Sequence, residues 1–125
     1  MDLLNFTENA GVFTDVRAWT DDGNVYALTL QFAQQPLHIF VEQDTDELVV
    51  STSFVLNQQC TQPLTALQDV YGYFLSRTWL MHNHKGYQDA LQLEFYHPDK
   101  SQTHFIQIYV ETSSLKLFRL QQIYV

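Results

Sequence analysis

The 125-residue chain carries a formal charge of −8 and is 46% hydrophobic, with nine Phe, seven Tyr and two Trp. That length and apolar content fit one packed domain, 1–125, and exclude a disordered chain. The acidity argues against nucleic acid and anionic membrane as partners, because both need Lys or Arg set against phosphate.

A single cysteine, Cys60, rules out an internal disulfide framework and fits a reducing cytoplasm. No apolar run reaches the roughly 18 residues of a membrane span, and the first residues lack the basic-then-apolar pattern of a secretory signal.

Leu3 and Phe6 are the apolar positions of a short N-terminal helix, weakened by Asn5, Thr7 and Asn9, which are poor helix-interior residues. A first strand is expected at about 13–20 and a second at about 25–33, where Leu28, Leu30 and Phe32 alternate with Thr29 and Gln31. The third carries Leu37, Ile39 and Val41 on one face, and the fourth carries Leu48, Val49 and Val50. Short polar turns at 20–24, 34–36 and 43–46 make this an antiparallel meander. Pro63 to Tyr71 reads as a central helix: Leu64, Leu67 and Tyr71 recur at helical spacing, and Gly72 supplies the left-handed stop.

A second series then follows in the same order as the first. Gly72-Tyr73-Phe74, Arg77-Thr78-Trp79, Ala90-Leu91-Gln92-Leu93-Glu94-Phe95 and Val110-Glu111 answer Gly11-Val12-Phe13, Arg17-Ala18-Trp19, Ala27-Leu28-Thr29-Leu30-Gln31-Phe32 and Val41-Glu42. This reads as an internal duplication, with pseudo-repeat units of about 1–57 and 62–120. From Leu37 to Val50 the alignment to Ile106–Arg119 needs no gap. The expected fold class is therefore α+β: about eight antiparallel strands in two meanders, one central helix and a lesser N-terminal one. Ile123, Tyr124 and Val125 suggest a docked terminus or an edge used in self-association.

Few residues announce chemistry. Arg17 and Arg77 hold matching places, as do Glu42 and Glu111, so each Arg is expected to face its Glu across the sheet as an ion pair. His82 and His84, two apart on an extended segment, are the metal candidates, and His97, His104 or Asp89 could supply a third ligand. Solvated turn histidines are the competing reading.

Asp44, Asp46 and Glu47 make the densest acidic cluster, without the glycine and distal Glu of a calcium loop. A solvated hairpin turn is the plainer account, and an edge for a basic partner the sharper one. Trp79, Tyr87 and Asp89, with the two histidines, have the composition of a binding rim; alternatively Trp79 and Met81 enter the core. No nucleophile elbow or phosphate-cradling glycine loop is present, so no cofactor is indicated and catalysis is disfavoured.

Asp44-Thr45-Asp46-Glu47 after an apolar strand, with Trp79 and Asn83-x-x-Gly86-Tyr87-x-Asp89-Ala90-Leu91 downstream, resembles a family of small uncharacterised bacterial proteins. The Gln-rich style suggests a cyanobacterial relative. The resemblance covers the middle two-thirds of the chain and implies a small cytoplasmic α+β domain, with no activity attached.

Two functions are then in view. One is a non-enzymatic protein-interaction module, adaptor or immunity-type, with a protein partner or a second copy. The other is a small-ligand or metal-binding domain, with catalysis an option, that uses His82 and His84 together with residues of the rim. Features that differ between the two series are where a site is expected: the acidic turn 44–47, the histidine turn 82–86 and the long loop 97–102.

Overall fold

The computed structural model describes residues 1–53 and 61–120, in nine strands and two short helical segments. Helix α1 (Leu3–Asn9) starts at Asp2, whose carboxylate accepts the Asn5 N–H at 3.0 Å, and it buries Phe6. Strands β1 (Phe13–Asp21), β2 (Asn24–Phe32), β3 (Pro36–Glu42) and β4 (Glu47–Ser51) form the first antiparallel meander. A three-residue strand, β5 (Thr61–Pro63), adds to the free side of β1. Strands β6 (Phe74–His82), β7 (Gln88–His97), β8 (Gln102–Glu111) and β9 (Ser114–Leu120) form a second sheet in the order β6-β7-β8-β9. The expected meanders and their turns are present, and the protein is mostly β.

The two sheets share one core. Leu28, Leu30, Leu37 and Ile39 face inward from the first, and Leu91, Leu93, Ile106 and Ile108 from the second. Phe13 joins them: its ring centroid lies 5.4 Å from Phe32 and 5.1 Å from Phe95. Its backbone donates to the Tyr73 carbonyl at 2.8 Å and accepts from the Gly72 N–H at 2.7 Å, so β1 and β6 meet at a hydrogen-bonded corner. Helix α1 packs on β6, where Thr7 and Thr78 share a hydroxyl contact at 3.2 Å. Gly11, at φ +79°, precedes the corner; the backbone there favours glycine, and a Cβ would also press on that of Ala33 at 3.1 Å.

The central helix is not an α-helix. Pro63 belongs to β5, and only Thr65–Val70 coils, as a 3-10 segment packed on β1. At three residues per turn Leu64, Leu67 and Val70 share a face, and Leu67 and Val70 are fully buried. The apolar spacing fits both geometries, and pairing of Pro63 with Arg17 across the β1–β5 ladder decides between them.

The two meanders correspond more closely in hydrogen bonding than in sequence. Each first hairpin carries two bulges at matching places, Thr14 and Tyr26 in one, Ser76 and Asp89 in the other. The Thr14 and Ser76 hydroxyls both donate, at 3.1 Å, to the carbonyl of the matching residue opposite, Gln31 or Glu94. This register corrects three expectations. Ala27 faces Trp19 but Ala90 faces Met81, so Arg-x-Trp in the two series is displaced by two residues. Phe13 is buried whereas Phe74 is 46% exposed, and Leu75 takes the inward place. Val50 pairs with Ile39 and Leu117 with Ile108, so the ungapped alignment slips by two at the last turn, which is four residues long in one meander and two in the other. A slip of two keeps every side chain on its own face, so the apolar pattern cannot reveal it.

The expected Arg–Glu pairs are not formed either. Arg17 lies 3.6 Å from Asp15 and Arg77 4.0 Å from Glu94, while Glu42 stands opposite Glu47 and Glu111 accepts the Tyr109 hydroxyl. Cys60 and Ile123–Val125 lie outside the described residues.

Candidate functional site

Four hairpin turns gather at one end of the molecule. The β6–β7 turn is closed by Asn83: its side-chain oxygen accepts the N–H groups of Lys85 (2.9 Å) and Tyr87 (3.2 Å), and its own N–H donates to the Tyr87 carbonyl at 2.8 Å. Gly86, at φ +84°, lets the chain reverse. This frame holds His84, Lys85 and Tyr87 out in solvent, His82 exposed opposite Gln88, and Asp89 as the bulged residue.

The β3–β4 turn presents Asp44 and Asp46, and Glu47 starts β4 directly opposite Glu42. Like charges facing across a ladder repel. Glu47 turns away to accept the Gln88 N–H at 2.9 Å, and the Gln88 side-chain amide donates to the Leu48 carbonyl at 2.6 Å. The acidic turn and the histidine turn, distant in sequence, are thereby stitched together across the two sheets. Beside them the β1–β2 and β8–β9 turns line a polar cleft of about 350 Å³ with Asp21, Asp22, Asn24, Gln43, Thr112 and Ser113.

Seven of the eight expected site residues therefore sit on this end: Asp44, Asp46, Glu47, His82, His84, Tyr87 and Asp89. Trp79 does not; it lies further along β6 on the outer face, opposite Gln92, and neither it nor Met81 enters the core. With Asp21, Asp22, Glu42 and Glu111, the end holds eight of the fourteen carboxylates. Against them stand Lys85 and the imidazoles of His82 and His84. Among the described residues no three His, Cys, Asp or Glu side chains come together as a metal site. His97 and His104, offered as third ligands, lie at the opposite end of β7 and β8.

There they form a cluster that sequence reasoning did not assemble. Both imidazoles pack edge-on to Tyr73, with centroids at 5.1 and 5.3 Å, and the Tyr73 hydroxyl donates to Gln102 at 2.8 Å. Lys100 lies 5.7 Å from the ring centre, and His97 Nδ1 is buried without a hydrogen-bond partner among the described residues. His97 continues the inward positions of Phe95, and His104 those of Ile106. The visible signal was a histidine at each place where the apolar alternation ends, and the cluster caps the core with polar groups.

The model of a family of unknown function, DUF6334, matches residues 7–124. The chain belongs to this family. No curated protein and no solved structure matches it. Membership agrees with the resemblance to an uncharacterised family and brings no activity. Among the described residues no helix is long and apolar enough to cross a membrane.

Proposed function

We propose that this protein is a non-enzymatic interaction module of a bacterial cytoplasm that engages a basic protein partner through its four-hairpin end. The observation that supports this is the gathering of eight carboxylates on turns locked together by Glu47 and Gln88. Such a surface speeds encounter with a cationic partner and rejects acidic ones. Exposed Tyr87, His82 and His84 add amphipathic contacts at its rim. The matched bulges and their hydroxyl bonds also support an internal duplication, with the acidic and histidine turns as later divergence.

The test is a pull-down from native lysate, comparing the wild type with the paired variant Asp44→Lys, Asp46→Lys. Both positions are exposed, and because Asp46 sits at φ +57° a urea melt of the variant accompanies the pull-down to show that it folds. The expected result is a basic protein, identified by mass spectrometry, that the wild type retains, that elutes as salt rises and that the variant fails to hold. An identical set of retained proteins for both would overturn the proposal.

A further inference from the structure

The outer face of the second sheet has a composition that folding does not explain. Cross-strand register places Phe74 beside Tyr96, Trp79 in the row that ends at Phe118, and Phe105 opposite Leu120, with all six side chains directed away from the core. Five of them are 37–50% exposed: Phe74, Trp79, Tyr96, Phe118 and Leu120. Tyr109 stacks on Phe118 at 5.0 Å, which holds that ring upright. Soluble monomers rarely leave a contiguous apolar face of this kind uncovered.

The first sheet gives the comparison. At the ladder places of Trp79, Phe118 and Phe105 it has Arg17, Ser51 and Pro36. The first sheet has outward aromatics of its own, Trp19 and Phe40 in the row through Ala27, but both are half-buried, so among the described residues the well-exposed aromatic strand positions belong to the second meander.

We propose that this face joins two copies of the chain as a twofold dimer. The exposed apolar side chains stand toward both edges of the sheet, Phe74 and Trp79 on β6 and Phe118 and Leu120 on β9, with Tyr96, Glu94 and Gln92 between them on β7. A twofold interface uses the same patch on both copies, so every contact these side chains make is made twice. Charge also selects a copy. The chain carries −8 overall, yet the cations on this face, Arg77 and Lys116, balance the anions, Glu94 and Glu111. Two such faces meet without net repulsion, whereas a basic partner is drawn to the hairpin end.

Four strands about 4.8 Å apart and seven residues long give a footprint of roughly 450 Å² per copy, or about 900 Å² for the pair. That falls short of the roughly 1,200 Å² of standard complexes and belongs with weak, transient ones, so a reversible dimer in the micromolar range is expected.

Sedimentation equilibrium from about 5 to 500 μM tests this, spanning the expected constant on both sides. The wild type is expected to pass from monomer to dimer, and Trp79→Ser or Phe118→Ser to weaken association about thirtyfold, as loss of a buried aromatic anchor does. Arg77→Glu changes only a well-exposed charge, so it reads the face even if a serine variant folds poorly; it too should shift the equilibrium toward monomer. A wild type that stays monomeric throughout would assign the face to another partner and overturn the proposal, as would a dimer that ignores all three substitutions. None of these variants alters the hairpin turns, so this proposal and the basic-partner proposal fail separately.

Discussion

The Glu47 carboxylate accepts the main-chain N–H of Gln88 at 2.9 Å, and Gln88 returns its side-chain amide to the Leu48 carbonyl. These bonds satisfy an edge strand of one sheet with a bulged strand of the other. They convert two loose turns into one surface. Glu47→Ala leaves the Gln88 N–H in a part-buried place without its acceptor, and is expected to cost about 1–2 kcal/mol. Glu47→Gln keeps an acceptor oxygen and should cost less, because only the charge assistance is lost. Urea melts give the energies, and faster amide exchange at Gln88 localises the effect. Asp44→Asn and Asp46→Asn, both exposed, should stay within about 0.5 kcal/mol of wild type.

The β8–β9 turn holds Thr112 at φ +51° and Ser113 at φ +60°, a two-residue reversal with both central residues left-handed. Asn-Gly suits that geometry, and a β-branched threonine suits it poorly. The β1–β2 turn solves the same problem with Asp22-Gly23, at φ +49° and +80°. Thr112→Asn with Ser113→Gly is therefore expected to raise stability by about 1 kcal/mol. A higher urea midpoint with unchanged slope would show it.

Local order was legible and distant order was not. Alternation at Leu28-Leu30-Phe32 and at Leu91-Leu93-Phe95 marked strands because one face of each is buried. Asp22-Gly23 and Lys85-Gly86 marked reversals because their backbones demand it. The same alternation cannot tell a two-residue slip, so the sequence aligns Arg77-x-Trp79 with Arg17-x-Trp19 although the ladder displaces them. Pro63 reads as a helix start because its pairing with Arg17 depends on a strand far away in sequence. The site was half visible: Asp44–Glu47 and His82–Asp89 stood out by composition, but only the packing of β4 on β7 brings Glu47 to Gln88. Trp79 stood out as well, and its place on an open sheet face follows from register alone.

His38 gives the fold a measurable response to acid. Its Nδ1 lies 2.8 Å from the Thr29 hydroxyl, and partial burial lowers its pKa below the ordinary 6.5. The folded state thus prefers the neutral ring, while the unfolded chain takes up a proton near pH 6.5. The contribution of this residue is complete above that pH and is lost as pH falls through the lowered folded value. His38→Gln keeps hydrogen-bonding capacity toward Thr29 and cannot titrate. Urea melts at neutral and mildly acidic pH are expected to show a drop in wild-type stability that is smaller in the variant.

Phe13 couples the two meanders through both its ring and its backbone. Its ring touches Phe32 in one sheet, Phe95 in the other and Tyr71 after the 3-10 segment, while its backbone bonds to Tyr73 and Gly72. Phe13→Ala opens a cavity where these rings meet and is expected to cost about 3–5 kcal/mol. Phe13→Leu keeps most of the volume and should cost about 1–1.5 kcal/mol. Because the same residue seats both sheets, neither should loosen alone. Trp19 reports on the first sheet and Trp79 on the second, so single-tryptophan forms made with Trp19→Phe and Trp79→Phe separate the signals. Coincident fluorescence midpoints, both shifted equally by Phe13→Leu, are expected of one cooperative unit. Two midpoints, with only one moved, would mean that the meanders unfold as separate units and that Phe13 belongs energetically to one of them.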